Sequence, residues 1–343
     1  MGNHSDTILR STVRTFFKSI AVVVGIFVAF IPLVIMFMSV GAEKDLSDKT
    51  TTHILPDENG RRVLLHEKSP AILEIKIHGI IGQGLTAENI ENILLDSRTR
   101  MFRNDRVKAV LLNINTPGGG VNDSDQIYRL IKNYKAKYNV PVFAYVDGMC
   151  ASGGYYIACA ADRIYSSQVG IVGSVGVVIG PFLNFYDTLN RWGVKAKTLT
   201  KGEGKDPMNP LRPWKPDEDE NLQSLLAFFY ETFVDIVTSN RPQISKSSLI
   251  NTYGARIFDA KKATEIGMID QYNVGEKDVL SFLAKEANIS EPYQVVELAP
   301  RKSWLSSMFD AKSYLPSIFF KANPLCDEQF AYLYQPGVIS FHK

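Results

Sequence analysis

The chain is short of the residues that staple or metallate small folds. Its 343 residues hold three cysteines, Cys150, Cys159 and Cys326. That is too few for a disulfide framework, and none forms a C-x-x-C zinc pair. The five histidines, His4, His53, His66, His78 and His342, give no H-x-x-x-H spacing. No metal site is therefore expected, and no organic cofactor is suggested. Charge of one sign is also lacking: 38 Lys and Arg oppose 36 Asp and Glu, a formal net charge of +2. This argues against nucleic acid as a main partner. There is no internal repeat and no low-complexity tract. Apolar residues at 45% and charged residues at 22% are ordinary globular usage, which excludes a disordered or collagen-like chain.

One segment lacks charge altogether. Ile20 to Val40 runs for 21 uncharged residues. At ~1.5 Å per residue it reaches about 31 Å, the thickness of the hydrocarbon core of a bilayer. Pro32 lies inside it, and proline is tolerated in membrane helices. A cleavable signal peptide is the rival reading, but its apolar region runs only about 7–15 residues, so a retained anchor is favoured. Arg10, Arg14 and Lys18 precede the span against Asp6 alone, whereas Glu43, Lys44, Asp45, Asp48 and Lys49 follow it. The positive-inside rule puts residues 1–19 in the cytoplasm and everything after residue 42 across the membrane. In a bacterial-type cell this is a single-pass inner-membrane protein with a periplasmic or extracytoplasmic domain. That compartment permits disulfides, yet Cys150 and Cys159 sit nine apart around an expected helix start. They read as small buried thiols.

Residues 41–69 are polar with little periodicity and are read as a stalk. From Ala71 strands and helices alternate. Strands are expected at Ile72–Ile77, Val107–Asn115, Pro141–Gly148, Arg163–Tyr165 and Lys195–Thr200. The second has the near-continuous hydrophobicity of a buried parallel strand. Helices are expected at 87–101, through Ile127, Leu130, Ile131 and Tyr134, briefly from Ser152, and at Pro216–Asn240. The last carries acids at 217–220 that suit a helix N-terminus, and an apolar face of Leu222, Leu225, Leu226, Phe229, Phe233 and Ile236. The class is α/β, with a folded domain over 70–275. An extension over 276–343, aromatic beyond Ser303 (Trp304, Phe309, Tyr314, Phe319, Phe320), has an open role.

Two glycine clusters each end a strand: Asn115-Thr116-Pro117-Gly118-Gly119-Gly120 and Gly148-Met149-Cys150-Ala151-Ser152-Gly153-Gly154. Side by side, such turns offer backbone N–H groups to a developing oxyanion, though each alone reads equally as a tight turn. The first lacks the G-K-[ST] ending of a phosphate loop. Ser152 stands where the second turn enters its helix. A serine is a poor nucleophile until something takes its proton. No histidine lies between His78 and His342, and His78 is expected to pack within its strand, so a histidine-based triad is disfavoured. The remaining common base is lysine. A free lysine, pKa ~10.4, is about 0.1% neutral near pH 7.4, so a base lysine needs a drop of about three units. Desolvation can supply it. By composition Lys205 and Lys201, in Thr200–Pro207, are equal candidates, and each also reads as a solvated loop lysine. Cys150, two residues before the serine, is badly placed on the turn for a nucleophile.

The ordered motifs PGGG, ASGGYY, VGSVGVV and GKDP strongly resemble the signal peptide peptidase A (protease IV) family of Ser/Lys-dyad membrane peptidases. The likeness covers residues 70–275, about 60% of the chain. Asp259-Ala260…Ala263…Gly267-Met268-Ile269-Asp270 resembles that family's closing stretch. The resemblance implies Ser152 as nucleophile, Lys205 as general base, and Gly119 and Gly153 as oxyanion donors. It implies Ser174 as the serine that orients the base. It further implies the spiral ββα core shared by Clp proteases and crotonases, a ring or dome of identical subunits, and a dyad that neighbouring subunits can complete. Peptides, remnant signal peptides above all, are the implied substrates. Two other readings stand beside it. A crotonase-type acyl-CoA enzyme would bind CoA without needing Ser152, and a non-catalytic membrane scaffold would need neither Ser152 nor Lys205.

Overall fold

The computed structural model describes residues 5–40, 50–290, 292–300 and 331–333. The chain divides into two units, Met1–Asp48 and Lys49–Lys343. The described residues of the first form one helix, α1 (Ser5–Val40), which begins well before the uncharged run. Its stretch Thr12–Phe30, 19 residues, is long and apolar enough to cross a membrane.

The second unit is built on one mixed sheet. In chain order its elements are β1 (Thr50–Leu55), β2 (Ala71–His78), α2 (Ala87–Asp96), β3 (Val107–Thr116), β4 (Gly118–Gly120) and α3 (Val121–Tyr138). There follow β5 (Val142–Ala151), α4 (Gly153–Ala158), β6 (Arg163–Ser166), β7 (Ile171–Gly173), α5 (Tyr186–Arg191) and α6 (Glu220–Asn240). The series ends with β8 (Ile257–Asp259), α7 (Ala260–Glu265), α8 (Glu276–Glu286), β9 (Gln294–Pro300) and β10 (Ala331–Leu333). The sheet order is β1-β9-β2-β3-β5-β7-β8, with β6 also on β5, while β10 pairs with β4 apart from it.

The centre, β2-β3-β5, is parallel and buried on both faces, which is why β3 reads as an apolar run rather than an alternation. Leu73, Ile75, Ile77, Val110 and Leu112 face a large core with Ile90, Ile131, Tyr155 and Phe233. Ile72, Ala109, Leu111 and Phe143 face a smaller core against Val279, Leu280 and Leu283 of α8. The 3.6-residue stripes of α2, α3 and α8 therefore cover a two-sided sheet.

Several elements depart from the sequence reading. Residues 50–55, expected as stalk, form an edge strand antiparallel to β9. Residues 276–300, expected as extension, supply α8 and β9, and β9 lies between β1 and β2. β1 is Thr-rich, so it looks polar, but branched threonines suit a half-buried strand. Lys195–Thr200 is exposed and forms no strand. α6 starts at Glu220, four residues after Pro216, and buries only Phe233, Val234 and Val237; Phe228 is 62% exposed. His78 is exposed at the strand end, with Nε2 3.0 Å from Asn113 Oδ1. Cys326, residues 41–49, the aromatic run 304–320, and His4 and His342 fall outside the described residues.

Candidate active site

The site gathers where parallel strands β3, β5 and β7 end. Thr116 of β3 sits opposite Cys150 of β5, and Ala151 of β5 opposite Gly173 of β7. The next residues, Ser152 and Ser174, leave the sheet side by side. Ser152 N–H donates to the Gly173 carbonyl at 2.8 Å, and Ser174 N–H to the Arg256 carbonyl at 2.8 Å. Both serines are buried and both have positive φ, 54° and 58°. Such angles are uncommon outside glycine. At Ser152 this sharp turn feeds directly into α4, whose first amide, Gly153 N–H, has no partner within the helix.

The glycine strand β4 is shaped by its neighbours. Thr116 Oγ1 accepts from Gly118 N–H at 3.0 Å and fixes the turn. Ile81 N–H donates to the Gly118 carbonyl and Gly120 N–H to the Ile81 carbonyl, each at 3.0 Å. A Cβ on Gly119 would lie 2.0 Å from the Ile81 carbonyl oxygen, so only glycine allows this approach. A Cβ on Gly154 would meet Thr116 Cγ2 at 2.5 Å, so α4 packs against the end of β3 only through glycine. Thr116 went unremarked in the sequence; its place between a strand and a Pro-Gly turn is the signal that marks it.

Ser152 Oγ is buried without a hydrogen-bond partner. Lys205 therefore does not reach it within one chain. It lies exposed on the segment between α5 and α6, as does Lys201. That segment is braced by Arg212, another residue the sequence left unmarked. Its guanidinium donates to the Asp206 carbonyl at 2.7 Å and to Glu218 Oε2 at 2.6 Å. Hydrogen bonds from Arg212 and Asn209 hold the Asp206 carboxyl below its ordinary range. Nothing in the spacing of Arg212 announces this contact. Cys150 and Cys159 are buried free thiols. Desolvation pushes Cys150 well above its usual range and Cys159 up to about 12, so neither is a thiolate near neutrality.

The structure thus brings Gly119, Ser152, Gly153 and Ser174 to one end of the sheet and leaves Lys205 away from Ser152. The closing stretch has a structural part. Asp259 Oδ1 caps α7 by accepting from Lys262 N–H, and Asp270 joins Ile164 N–H of β6 to buried Arg241.

The Peptidase family S49 model matches residues 135–290, and the Clp protease model matches residues 78–168. A putative signal peptide peptidase SppA of Enterococcus faecium is 32% identical over 232 residues, 64% of each chain. Protease 4 of Haemophilus influenzae is 30% identical over 206 residues, 58% of this chain and 32% of its own. The chloroplastic serine protease SPPA of Arabidopsis thaliana is 27% identical over 64% of this chain and 31% of its own. The chain thus spans less than two thirds of the length of each of these relatives. Among solved structures, ClpP1 from Listeria monocytogenes is 19% identical over 60% of this chain and 94% of its own, with a TM-score of 0.38. The glycine strand and the α/β core of 78–168 fall within the Clp protease match, and Ser152, Ser174 and Lys205 within the other. The chain has a Clp-protease-like α/β fold, and its residues 135–290 match peptidase family S49, in keeping with its similarity to signal peptide peptidase SppA and protease 4.

Proposed function

We propose that this chain is a membrane-anchored serine endopeptidase with Ser152 as nucleophile and Lys205 as general base. One observation carries the reading: Ser152 Oγ is buried and unpartnered at the meeting of two glycine turns. Such a hydroxyl costs roughly 1–3 kcal/mol, and a reactive role accounts for it. The base comes from a second copy of the chain. Lys205 stands on an exposed segment that also displays Trp192 and Leu199, and Phe182 and Leu183 are exposed just before α5, apolar surface suited to a neighbouring subunit. Docking would place the lysine in a dry pocket, where desolvation lowers the pKa of an ammonium.

Neutral Lys205, oriented by Ser174, accepts the Ser152 proton as Oγ attacks a peptide carbonyl. The Gly119 and Gly153 N–H groups take the oxyanion. Lys205 then protonates the leaving amine, and a water releases the acyl group. An extended peptide would bind by main-chain pairing to the glycine strand. α1 would tether the domain to the extracytoplasmic face of the inner membrane. Remnant signal peptides and other extended hydrophobic peptides are the fitting substrates.

Fluorophosphonate labelling with peptide mapping tests this. Label is expected on Ser152, and Ser152→Ala should lose both label and peptide cleavage, the latter by roughly 10³-fold or more. Cleavage retained in Ser152→Ala, or label on another residue, would refute the assignment. Binding of CoA independent of Ser152 would favour the acyl-CoA enzyme instead.

A further inference from the structure

A run of three glycines has no side chains to restrict its φ and ψ, so its shape must be imposed from outside. Ile81 imposes part of the shape of Gly118–Gly120, through the Gly118 carbonyl and the Gly120 N–H. Thr116 imposes the rest. It is buried, and its hydroxyl has one proton and two lone pairs to place. The proton goes to the Gly79 carbonyl at 2.5 Å, one residue past β2. A lone pair takes the Gly118 N–H at 3.0 Å. The methyl of the same side chain meets the second glycine cluster, for Thr116 Cγ2 lies 2.5 Å from where a Cβ on Gly154 would fall. Gly118 adjoins Gly119 in the chain, and Gly154 adjoins Gly153. One side chain therefore touches the neighbour of each oxyanion donor in the reading above.

Peptide geometry carries that contact to the first donor. The Gly118–Gly119 unit is planar and trans, so its C=O and N–H point in opposite directions. Thr116 fixes the N–H on one side of Gly118, and Ile81 fixes the carbonyl on the other. The direction of the Gly119 N–H follows from those two bonds. We propose that Thr116 is the positioning residue of the oxyanion hole: its hydroxyl aims the Gly119 amide, while its methyl seats the strand against α4, whose first amide is that of Gly153. The proposal rests on the peptidase reading above. A bound peptide in its ground state is held along its whole length and depends little on one amide. The tetrahedral oxyanion needs each donor at hydrogen-bond distance. Loss of the hydroxyl therefore falls on kcat rather than on KM.

The test compares Thr116→Val, which keeps the branched shape without the hydroxyl, with Thr116→Ser, which keeps the hydroxyl. On a fluorogenic peptide Thr116→Val is expected to lose about 10- to 100-fold in kcat, with KM within about twofold of the wild type. Fluorophosphonate should still map to Ser152 in this variant but react more slowly by a similar factor. Thr116→Ser should keep kcat within about threefold of the wild type, since the bond to Gly118 survives. A folded Thr116→Val with unchanged kcat would overturn the proposal. So would a Thr116→Ser as slow as Thr116→Val, because packing rather than the hydroxyl would then be at work. If Thr116→Val does not assemble as the wild type does by size exclusion, Thr116→Cys takes its place. Cysteine and serine share one skeleton, but sulfur accepts a hydrogen bond weakly. The cysteine variant should be at least about 10-fold slower than the serine variant, and equal kcat in the two overturns the proposal. A wild-type chain that neither cleaves peptide nor takes label at Ser152 would instead refute the peptidase reading, and this inference with it.

Discussion

Ser152 occupies φ 54° and ψ −118°, a conformation that costs of order 1–3 kcal/mol in a non-glycine residue. Its N–H bond to Gly173 and the immediate start of α4 hold it there. A second costly group lies on the other face of the sheet. Glu74 is 2% exposed and receives Asn113 Nδ2 at 3.2 Å, but its Oε2 has no partner. Burial first, then the nearby Glu276 carboxylate, raises its pKa to about 7. The folded state therefore holds a proton that the unfolded chain releases near 4.5. The contribution to stability is full below about pH 4.5 and is lost as pH rises through about 7, a span worth on the order of 3 kcal/mol. Glu74→Gln keeps the acceptor for Asn113 and removes the titration. In detergent it should melt above the wild type at pH 8, with the gap closing toward pH 5. Parallel melting curves across that range would contradict the assignment.

The elements differ in how their positions are secured. β3 and β5 are clamped on both faces, whereas the segment between α5 and α6 is held by its own polar contacts. Arg212 links Asp206, Glu218 and the Pro213 carbonyl, and Asn209 bonds Asp206 and accepts from Leu211 N–H. Lys205 immediately precedes Asp206, so Arg212 acts as a positioning residue for the proposed base. Arg212→Met should lower kcat by about 10- to 100-fold. The fluorophosphonate should still map to Ser152, because that chain's own nucleophile turn is untouched. Unchanged kcat would show that the brace does not govern the lysine.

Assembly bears most directly on activity. In the proposed mechanism the orphan Ser152 hydroxyl and the exposed Lys205 are the two halves of a dyad that one chain does not join. If neighbouring copies join them, inactive Ser152→Ala and inactive Lys205→Met should rescue each other after refolding or co-expression as mixed oligomers. Random mixing at equal amounts should restore roughly a quarter of wild-type activity, since each site draws its serine and its lysine from independent subunits. Mixed oligomers as inactive as their parents would show that the dyad forms within one chain.

Much of this was readable along the chain. The strands around Ile75, Leu111 and Val142 and the helices through Ile90 and Ile131 follow from hydrophobic period, because a two-sided sheet imposes that period locally. Ser152 and its flanking glycines were readable too, since a tight turn between strand and helix needs those residue types at that spacing. β1 and β9 were not: a Thr-rich edge and a seven-residue strand carry little local signal and are strands only because each has a partner far away in sequence. The same holds for the pairing of Tyr332 with Gly119, for the Arg212 brace and for the separation of Lys205 from Ser152. Local pattern specifies which element a segment forms and what chemistry it carries. Which elements meet depends on long-range hydrogen bonding and burial, which one-dimensional spacing does not encode.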